Sequence, residues 1–105
     1  MSKRLLFLEK TVADGSVDPF VNYCLAQEYR AKKRFSEALA AFKRIRSLSV
    51  TYLPAYLMAG QLLEELGRGP EATEWCLAGI EQAKAVRDGH TLGELESLLA
   101  RVQSA

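Results

Sequence analysis

The residues that could do chemistry in this 105-residue chain are few and scattered. His90 is the only histidine, and the two cysteines, Cys24 and Cys76, lie far apart without the spacing of metal ligands. Carboxylate pairs such as Glu64-Glu65 fall on predicted polar helix faces, where they favour solubility. A nucleophile motif or a phosphate-binding glycine loop would need its own residue pattern, and the sequence contains neither. We therefore expect no enzyme activity, no metal and no cofactor.

Composition is typical of an ordinary folded protein, with 49% apolar and 26% charged residues. Both cysteines occur within apolar helical patterns, which indicates reduced core residues of a cytosolic protein. The basic pair Lys3-Arg4 is followed by only four apolar residues, too few for a signal-peptide core. No segment approaches the length of a membrane span. We expect a cytoplasmic protein with no membrane partner.

Charge is unevenly distributed, although the net charge is only +1. Residues 1–52 carry ten basic and five acidic residues, whereas residues 53–105 carry four and eight. A basic cluster could bind RNA or another acidic ligand; its members are Arg30, Lys32, Lys33, Arg34, Lys43, Arg44 and Arg46. The aromatic residues there, Tyr29, Phe35 and Phe42, follow the apolar stripe and should be buried. Without a stacking platform, nucleic acid is the less favoured partner.

Helical periodicity runs through the chain, and no strand-like alternation interrupts it. Asp18-Pro19 predicts a helix start, Gly67 predicts a helix end, and Thr91-x-x-Glu94 matches a capping box for the last helix. These signals predict an all-α superhelix of about five antiparallel helices. The predicted segments are residues 3–13, 19–32, 35–48, 54–66, 70–87 and 92–103.

The chain contains an internal repeat, in which residues 19–52 align with residues 53–86 without a gap. Four identities result, namely Gln27/Gln61, Arg34/Arg68, Glu37/Glu71 and Ala38/Ala72. The pattern of residue sizes is the stronger evidence, because Ala26 also aligns with the small residue Gly60. Small residues inside helices allow a second backbone to approach closely, with bulky residues filling the adjacent grooves. The sequence therefore predicts packed helix pairs that repeat.

On these positions the chain resembles the tetratricopeptide repeat family, whose repeat has the same length as these two aligned segments. The first unit reads Leu25-Ala26-x-x-Tyr29 and then Ala38-x-x-x-Phe42. The second reads Ala59-Gly60-x-x-Leu63, then Gly67 and Ala72-x-x-x-Cys76-x-x-Gly79. The resemblance covers about residues 19–86, and length and composition match the short free-standing members found in bacteria. Departures are Asn22 and Ile45, at positions the family fills with bulky and small residues respectively.

The resemblance implies one domain, residues 1–105, built from two repeats and their flanking helices. Residues 3–13 would form half of an earlier repeat, residues 19–52 repeat 1, and residues 53–86 repeat 2. Residues 91–103 would form a polar-faced capping helix of the kind that closes such stacks.

In this family the first helices of successive repeats line a concave groove that takes a peptide or a partner protein. The residues in those positions are Phe20, Tyr23, Gln27, Arg30, Leu57, Gln61 and Glu64. The resemblance therefore implies an adaptor or scaffold that binds another protein. Self-association as a homodimer, aided by the charge asymmetry, is the alternative. The lysine and asparagine clamp that some members use for a chaperone's acidic C-terminus is missing from these positions.

Overall fold

The computed structural model describes residues 2–104, which form six α-helices and no strand. The helices are α1 (Lys3–Ala13), α2 (Pro19–Ala31), α3 (Phe35–Leu48), α4 (Leu53–Glu65), α5 (Gly69–Ala85) and α6 (Gly89–Ser104). The predicted all-α class is confirmed. The structure has six helices, one for each of the six predicted segments, where the predicted fold had about five.

The helices fall into two compact units. The N-terminal unit ends at Ser49 and contains α1–α3; within it, α2 packs against α3 and against α1. The C-terminal unit begins at Val50 and contains α4–α6; within it, α4 packs against α5, and α6 packs against both. Each unit therefore has its own packed helix pair and its own core.

Aspartate side chains cap the starts of α2 and α6, and the second of these caps corrects the sequence prediction. The Phe20 amide donates to Asp18 Oδ1 at 2.9 Å, which confirms the predicted start of α2. The last helix begins at Gly89, because Asp88 and not Thr91 is its cap: Asp88 accepts from the Thr91 amide at 3.0 Å and from the Thr91 hydroxyl at 2.8 Å. These hydrogen bonds lower the pKa of Asp88 below its usual range. His90 consequently lies in the first turn of α6 and not in a loop before it.

The turn between the two helices of each pair has the same construction. Gly67 has a φ of 72°, the left-handed conformation expected after a helix. Lys33 occupies the equivalent position in the first pair and has a φ of 60°, where a side chain is unfavourable. In both turns the next residue is an arginine that binds a glutamate three positions later, with closest nitrogen–oxygen distances of 2.7 Å for Arg34–Glu37 and for Arg68–Glu71. The two repeats therefore share the same turn conformation and the same arginine–glutamate ion pair.

The core of the C-terminal unit depends on two helical glycines. A Cβ added to Gly79 would lie 2.7 Å from the Tyr56 Cβ, and one added to Gly60 would lie 2.9 Å from a Leu98 methyl group. Beside Gly79, the rings of Tyr56 and Trp75 meet edge to face with centroids 5.8 Å apart. Neighbouring helices do pack tightly against both glycines, but the nearest atoms belong to side chains and not to a second backbone as predicted. Aromatic side chains fill the core beside Gly79.

The core of the N-terminal unit is smaller and contains a polar residue. Leu5, Leu8 and Leu25 form one buried cluster, and Phe42 and Ile45 are fully buried. Asn22 is also fully buried, with 0% of its surface exposed. A buried amide must be hydrogen-bonded to be tolerated, and Asn22 Nδ2 donates to the Asp18 carbonyl at 3.0 Å.

None of the helices in residues 2–104 is long and apolar enough to cross a membrane.

Candidate functional site

One face of α2 carries the four residues predicted to bind a partner from the N-terminal unit. Phe20 is 61% exposed at the start of the helix, and Tyr23, Gln27 and Arg30 are half-buried. The four positions are spaced by three, four and three residues, which places them along one side of a helix. The face therefore begins with an exposed aromatic ring and continues with polar groups.

Tyr23 links this face to the core of its unit. Its ring packs edge-on against Phe42, with centroids 6.3 Å apart, and its hydroxyl accepts a hydrogen bond from Gln27 Nε2 at 3.3 Å. Burial raises the pKa of Tyr23 above its ordinary value, against the opposing effects of the Gln27 hydrogen bond and the Arg30 charge. The hydroxyl is therefore uncharged at neutral pH, and the ring has a fixed position.

The matching residues on α4 are less accessible than those on α2. Leu57 is 9% exposed and belongs to the core of the C-terminal unit. Glu64 binds Arg101 of α6 through two contacts of 3.2 Å. Gln61 is half-buried. Of the three predicted residues on α4, Leu57 is thus a packing residue and Glu64 is held in an ion pair.

A pocket in the N-terminal unit was not predicted from the sequence. It has a volume of about 240 Å³ and is bordered by all three helices of the unit. Its lining residues are Val12, Asn22, Leu25, Tyr29, Glu37, Ala40, Ala41 and Arg44. The lining is mostly apolar, with a few polar groups at one side, as in binding pockets generally.

The polar side of this pocket is built around Asn22 and Arg44. Arg44 Nε donates to Asn22 Oδ1 at 3.1 Å, and an Nη of Arg44 lies 3.4 Å from the Ser16 carbonyl. The buried amide therefore positions an exposed guanidinium at the edge of the pocket. Sequence reasoning noticed Asn22 only as a departure from the repeat. The available signal was a polar residue at a bulky position together with a basic residue on the following helix.

The predicted basic cluster is partly committed to contacts inside the N-terminal unit. Arg34 contacts Glu37 and Glu9, and its guanidinium lies 4.8 Å from the centre of the Tyr29 ring. Phe42 is fully buried, as expected, and Tyr29 and Phe35 are half-buried. The aromatic rings of this segment therefore contribute mainly to packing.

The histidine, cysteine and acidic residues considered as candidates for chemistry do not form a metal-binding cluster in the described structure. Within residues 2–104, no group of three or more histidine, cysteine or acidic side chains could hold a metal ion. Cys24 and Cys76 are both free thiols, and burial raises the pKa of Cys76 to about 11. A thiol protonated at neutral pH is a poor nucleophile.

Similarity to solved structures assigns the family. A tetratricopeptide repeat domain protein from Salinibacter ruber is 32% identical over 83% of this chain and 97% of that one, and its crystal structure gives a TM-score of 0.76. The chain belongs to the tetratricopeptide repeat family. The solution structure of the same Salinibacter protein gives a TM-score of 0.78 over 83% of this chain and 88% of that one. No family model matches the sequence, and no curated protein matches it.

More distant structures share the fold. A protein from Bordetella parapertussis is 23% identical over 99% of this chain and 90% of that one, with a TM-score of 0.81. The TPR2B domain of yeast Sti1, in a complex with pHsp70, is 15% identical over 95% of this chain and 80% of that one, with a TM-score of 0.85. These likenesses confirm the predicted tetratricopeptide-like fold.

Proposed function

We propose that this tetratricopeptide repeat protein is an adaptor that binds a partner protein or peptide through the first helices of its repeats. The observation that carries the proposal is the exposed ring of Phe20, 61% accessible, on the same helix face as Tyr23 and Gln27. An aromatic side chain exposed to this extent gains free energy when a partner covers it.

The α2 face combines the two kinds of group that peptide-binding surfaces use. Phe20 is an apolar anchor, whereas Gln27 and Arg30 offer hydrogen-bond donors one and two turns beyond Tyr23. Because Tyr23 is fixed by Phe42 and hydrogen-bonded to Gln27, these groups lose little side-chain freedom on binding. The α2 face therefore suits a segment with an apolar residue followed by polar ones.

The predicted residues on α4, the first helix of the second repeat, offer less to a partner than those on α2. Gln61 supplies an amide, and Glu64 supplies a carboxylate already held by Arg101. Leu57 supports the helix from the core and does not act as an anchor. The complex of the yeast Sti1 domain supports a polypeptide as the class of ligand. The lysines and asparagines of the chaperone clamp are missing here, so we do not propose that ligand; the corresponding positions are Tyr23, Gln27, Leu57 and Gln61.

The proposal includes an absence of enzyme activity and a cytoplasmic location. Free thiols at Cys24 and Cys76 support that compartment, because exported proteins commonly oxidise theirs.

The test is a comparison of two matched variants, Phe20→Glu and Phe7→Glu. Phe7 is 68% exposed on α1, so both changes place a charge on an accessible aromatic position of the same unit. Affinity capture from the native cell with the wild-type protein identifies the bound protein by mass spectrometry. Titration calorimetry with that purified partner then compares the variants. We expect Phe20→Glu to weaken binding at least tenfold and Phe7→Glu to leave it unchanged.

Circular dichroism of both variants controls for folding. Equal binding by Phe20→Glu and the wild type would show that the partner does not use the α2 face. A wild-type protein that captures no partner above the background of a bead control would contradict the adaptor function itself.

A further inference from the structure

We propose that the pocket of the N-terminal unit binds the exposed α5 surface of a second copy of this chain, with Leu77 entering the pocket and Glu81 pairing with Arg44. The proposal concerns a different surface from the α2 face described above. On α2, the pocket residues Asn22, Leu25 and Tyr29 lie on roughly the opposite side from Tyr23 and Gln27, since each residue turns the helix by about 100°.

The pocket exists because the N-terminal unit lacks the bulk that its repeat counterpart has. Positions 22 and 41 border the pocket as Asn22 and Ala41. The equivalent positions of the second repeat are Tyr56 and Trp75, which are 1% and 5% exposed and pack edge to face. The same pair of positions therefore holds two large aromatic side chains in one repeat and two smaller side chains, bordering a pocket, in the other. A site that is open in only one repeat is available for a side chain from outside.

Arg44 gives the pocket its charge preference. Four other arginines, namely Arg4, Arg34, Arg68 and Arg101, are held by carboxylates. Arg44 is held instead by two neutral oxygens, from Asn22 and Ser16. Neutral partners position the guanidinium without neutralising it, so its positive charge stays available for an incoming carboxylate. Asn22, the amide that positions this arginine, is fully buried, so the unit forgoes the packing contacts that an apolar side chain would make there.

The surface of α5 offers the complementary chemistry. Leu77 is 52% exposed, and Glu81 is exposed four residues later. Side chains four residues apart lie on one helix face with Cβ atoms about 5–6 Å apart. An apolar side chain and a carboxylate are therefore presented together, matching the apolar lining of the pocket and the guanidinium at its edge.

The size and the charge of the two units support a second copy as the occupant. A volume of about 240 Å³ is below the roughly 300–1,000 Å³ of small-molecule sites, and it suits a single large side chain. The N-terminal unit carries a net charge of about +5 and the C-terminal unit about −4. Opposite net charges on the two contacting units favour their encounter.

This contact joins unlike surfaces, so each copy has both a pocket and an α5 surface to offer. Two variants each remove one of them. Ala40→Phe fills the pocket from an exposed position of α3, and Leu77→Glu replaces the entering side chain. Analytical ultracentrifugation should show wild-type protein whose mean mass rises with concentration, whereas each variant alone stays monomeric.

Mixing the two variants is the decisive experiment. Ala40→Phe keeps an intact α5 surface and Leu77→Glu keeps an intact pocket, so an equimolar mixture should form a one-to-one dimer and nothing larger. Recovery of the dimer also shows that both variants are folded. Ala100→Phe, an exposed alanine of α6 outside the pocket, is the matched control and should associate like the wild type.

Three outcomes would overturn the proposal. One is a wild-type protein that stays monomeric up to millimolar concentration; if Ala40→Phe then weakens capture of another protein, the pocket's occupant is that protein. Another is a mixture of the two variants that fails to dimerise while the wild type associates. The third is association of the wild type that increases with added salt, since pairing of Arg44 with Glu81 requires it to weaken.

Discussion

The two units of this chain solve the same packing problem in different ways. In the C-terminal unit, Tyr56 and Trp75 fill the space beside Gly79. The equivalent positions of the N-terminal unit are Asn22, Ala41 and Ile45. The N-terminal unit thus has an amide and an alanine where the C-terminal unit has aromatic rings, and a large isoleucine where the C-terminal unit has glycine. One repeat is a closed aromatic core, whereas the other has an open pocket and a positioned arginine. The same positions of the repeat can therefore hold either a closed aromatic core or an open pocket.

The largest expected effect comes from opening the closed repeat. Trp75→Ala removes a side chain that is only 5% exposed and packs against Tyr56, and we expect the free energy of unfolding to fall by about 3–5 kcal/mol. Urea denaturation followed by circular dichroism measures it. Trp75→Phe, which keeps an aromatic ring, should cost less than half as much. A loss below about 1 kcal/mol for Trp75→Ala would mean that the unit does not depend on this pair.

Adding a single methyl group to the same core should also destabilise it. In Gly79→Ala, the new Cβ lies 2.7 Å from the Tyr56 Cβ, which cannot rotate away, and we expect a loss of about 2–3 kcal/mol. Gly93→Ala on α6 is the matched control, because a Cβ there meets nothing within 4 Å. That variant should gain up to about 1 kcal/mol from helix propensity. Equal effects of the two changes in thermal denaturation would contradict the close packing at Gly79.

The polar core of the N-terminal unit should respond differently to truncation. Asn22→Ala removes hydrogen bonds to the Asp18 carbonyl and to Arg44, and we expect a loss of about 2 kcal/mol. Arg44→Ala keeps the bond to Asp18 but removes the bond to Asn22 and a long, exposed contact with the Ser16 carbonyl, and it should cost about half as much. The same denaturation measurement compares them. If Arg44→Ala proved the more costly, the arginine and not the amide would be holding this region.

In the turns between the two helices of each pair, two opposite substitutions should change the free energy of unfolding by smaller amounts and in opposite directions. Lys33→Gly relieves a left-handed lysine with a φ of 60° and should stabilise the protein by about 1 kcal/mol. Gly67→Lys places a side chain on a φ of 72° and should destabilise it by a similar amount. Differential scanning calorimetry of the two variants tests the pair. Shifts of the same sign would show that backbone conformation does not control these turns.

The weakest effect concerns alkaline pH and distinguishes Tyr29 from its counterpart Leu63. Burial, and a hydrogen bond to Glu9 at 2.7 Å, raise the pKa of Tyr29 to about 12. Because the folded pKa lies above the ordinary value of 10, the stabilisation is fully present below pH 10 and is lost as the pH rises through about 12. Near-ultraviolet absorbance should show a tyrosine titration step near pH 12, and Tyr29→Phe should remove that step. An unchanged titration curve in the variant would assign the late step to another residue.

The sequence was sufficient for those features that depend on local signals. Asp18-Pro19 and Gly67 predicted helix boundaries because caps and left-handed turns involve residues adjacent in the chain. The small residues Gly60 and Gly79 predicted close packing, because few other causes place glycine inside a helix. The start of α6 was misplaced, since both Asp88 and Thr91 are good caps and only the backbone path distinguishes them.

Features that depend on contacts between helices could not be predicted. Asn22 and Arg44 are 22 residues apart, and nothing local shows that one positions the other. The pocket results from bulk that is missing at Asn22 and Ala41, which sequence periodicity does not register. Leu57 was placed on the binding face by its repeat position, although it is buried in the C-terminal unit.

Trp75 also makes the C-terminal unit optically distinct. It is the only tryptophan of the chain, and its indole is buried beside Tyr56. Intrinsic fluorescence excited at the indole band therefore reports the C-terminal unit alone, whereas circular dichroism reports the helices of both units. Coincident unfolding curves from the two signals would show one cooperative transition, and separate curves would show that each repeat unfolds by itself. Trp75, which packs in the core of the C-terminal unit, thus reports whether the two units unfold cooperatively.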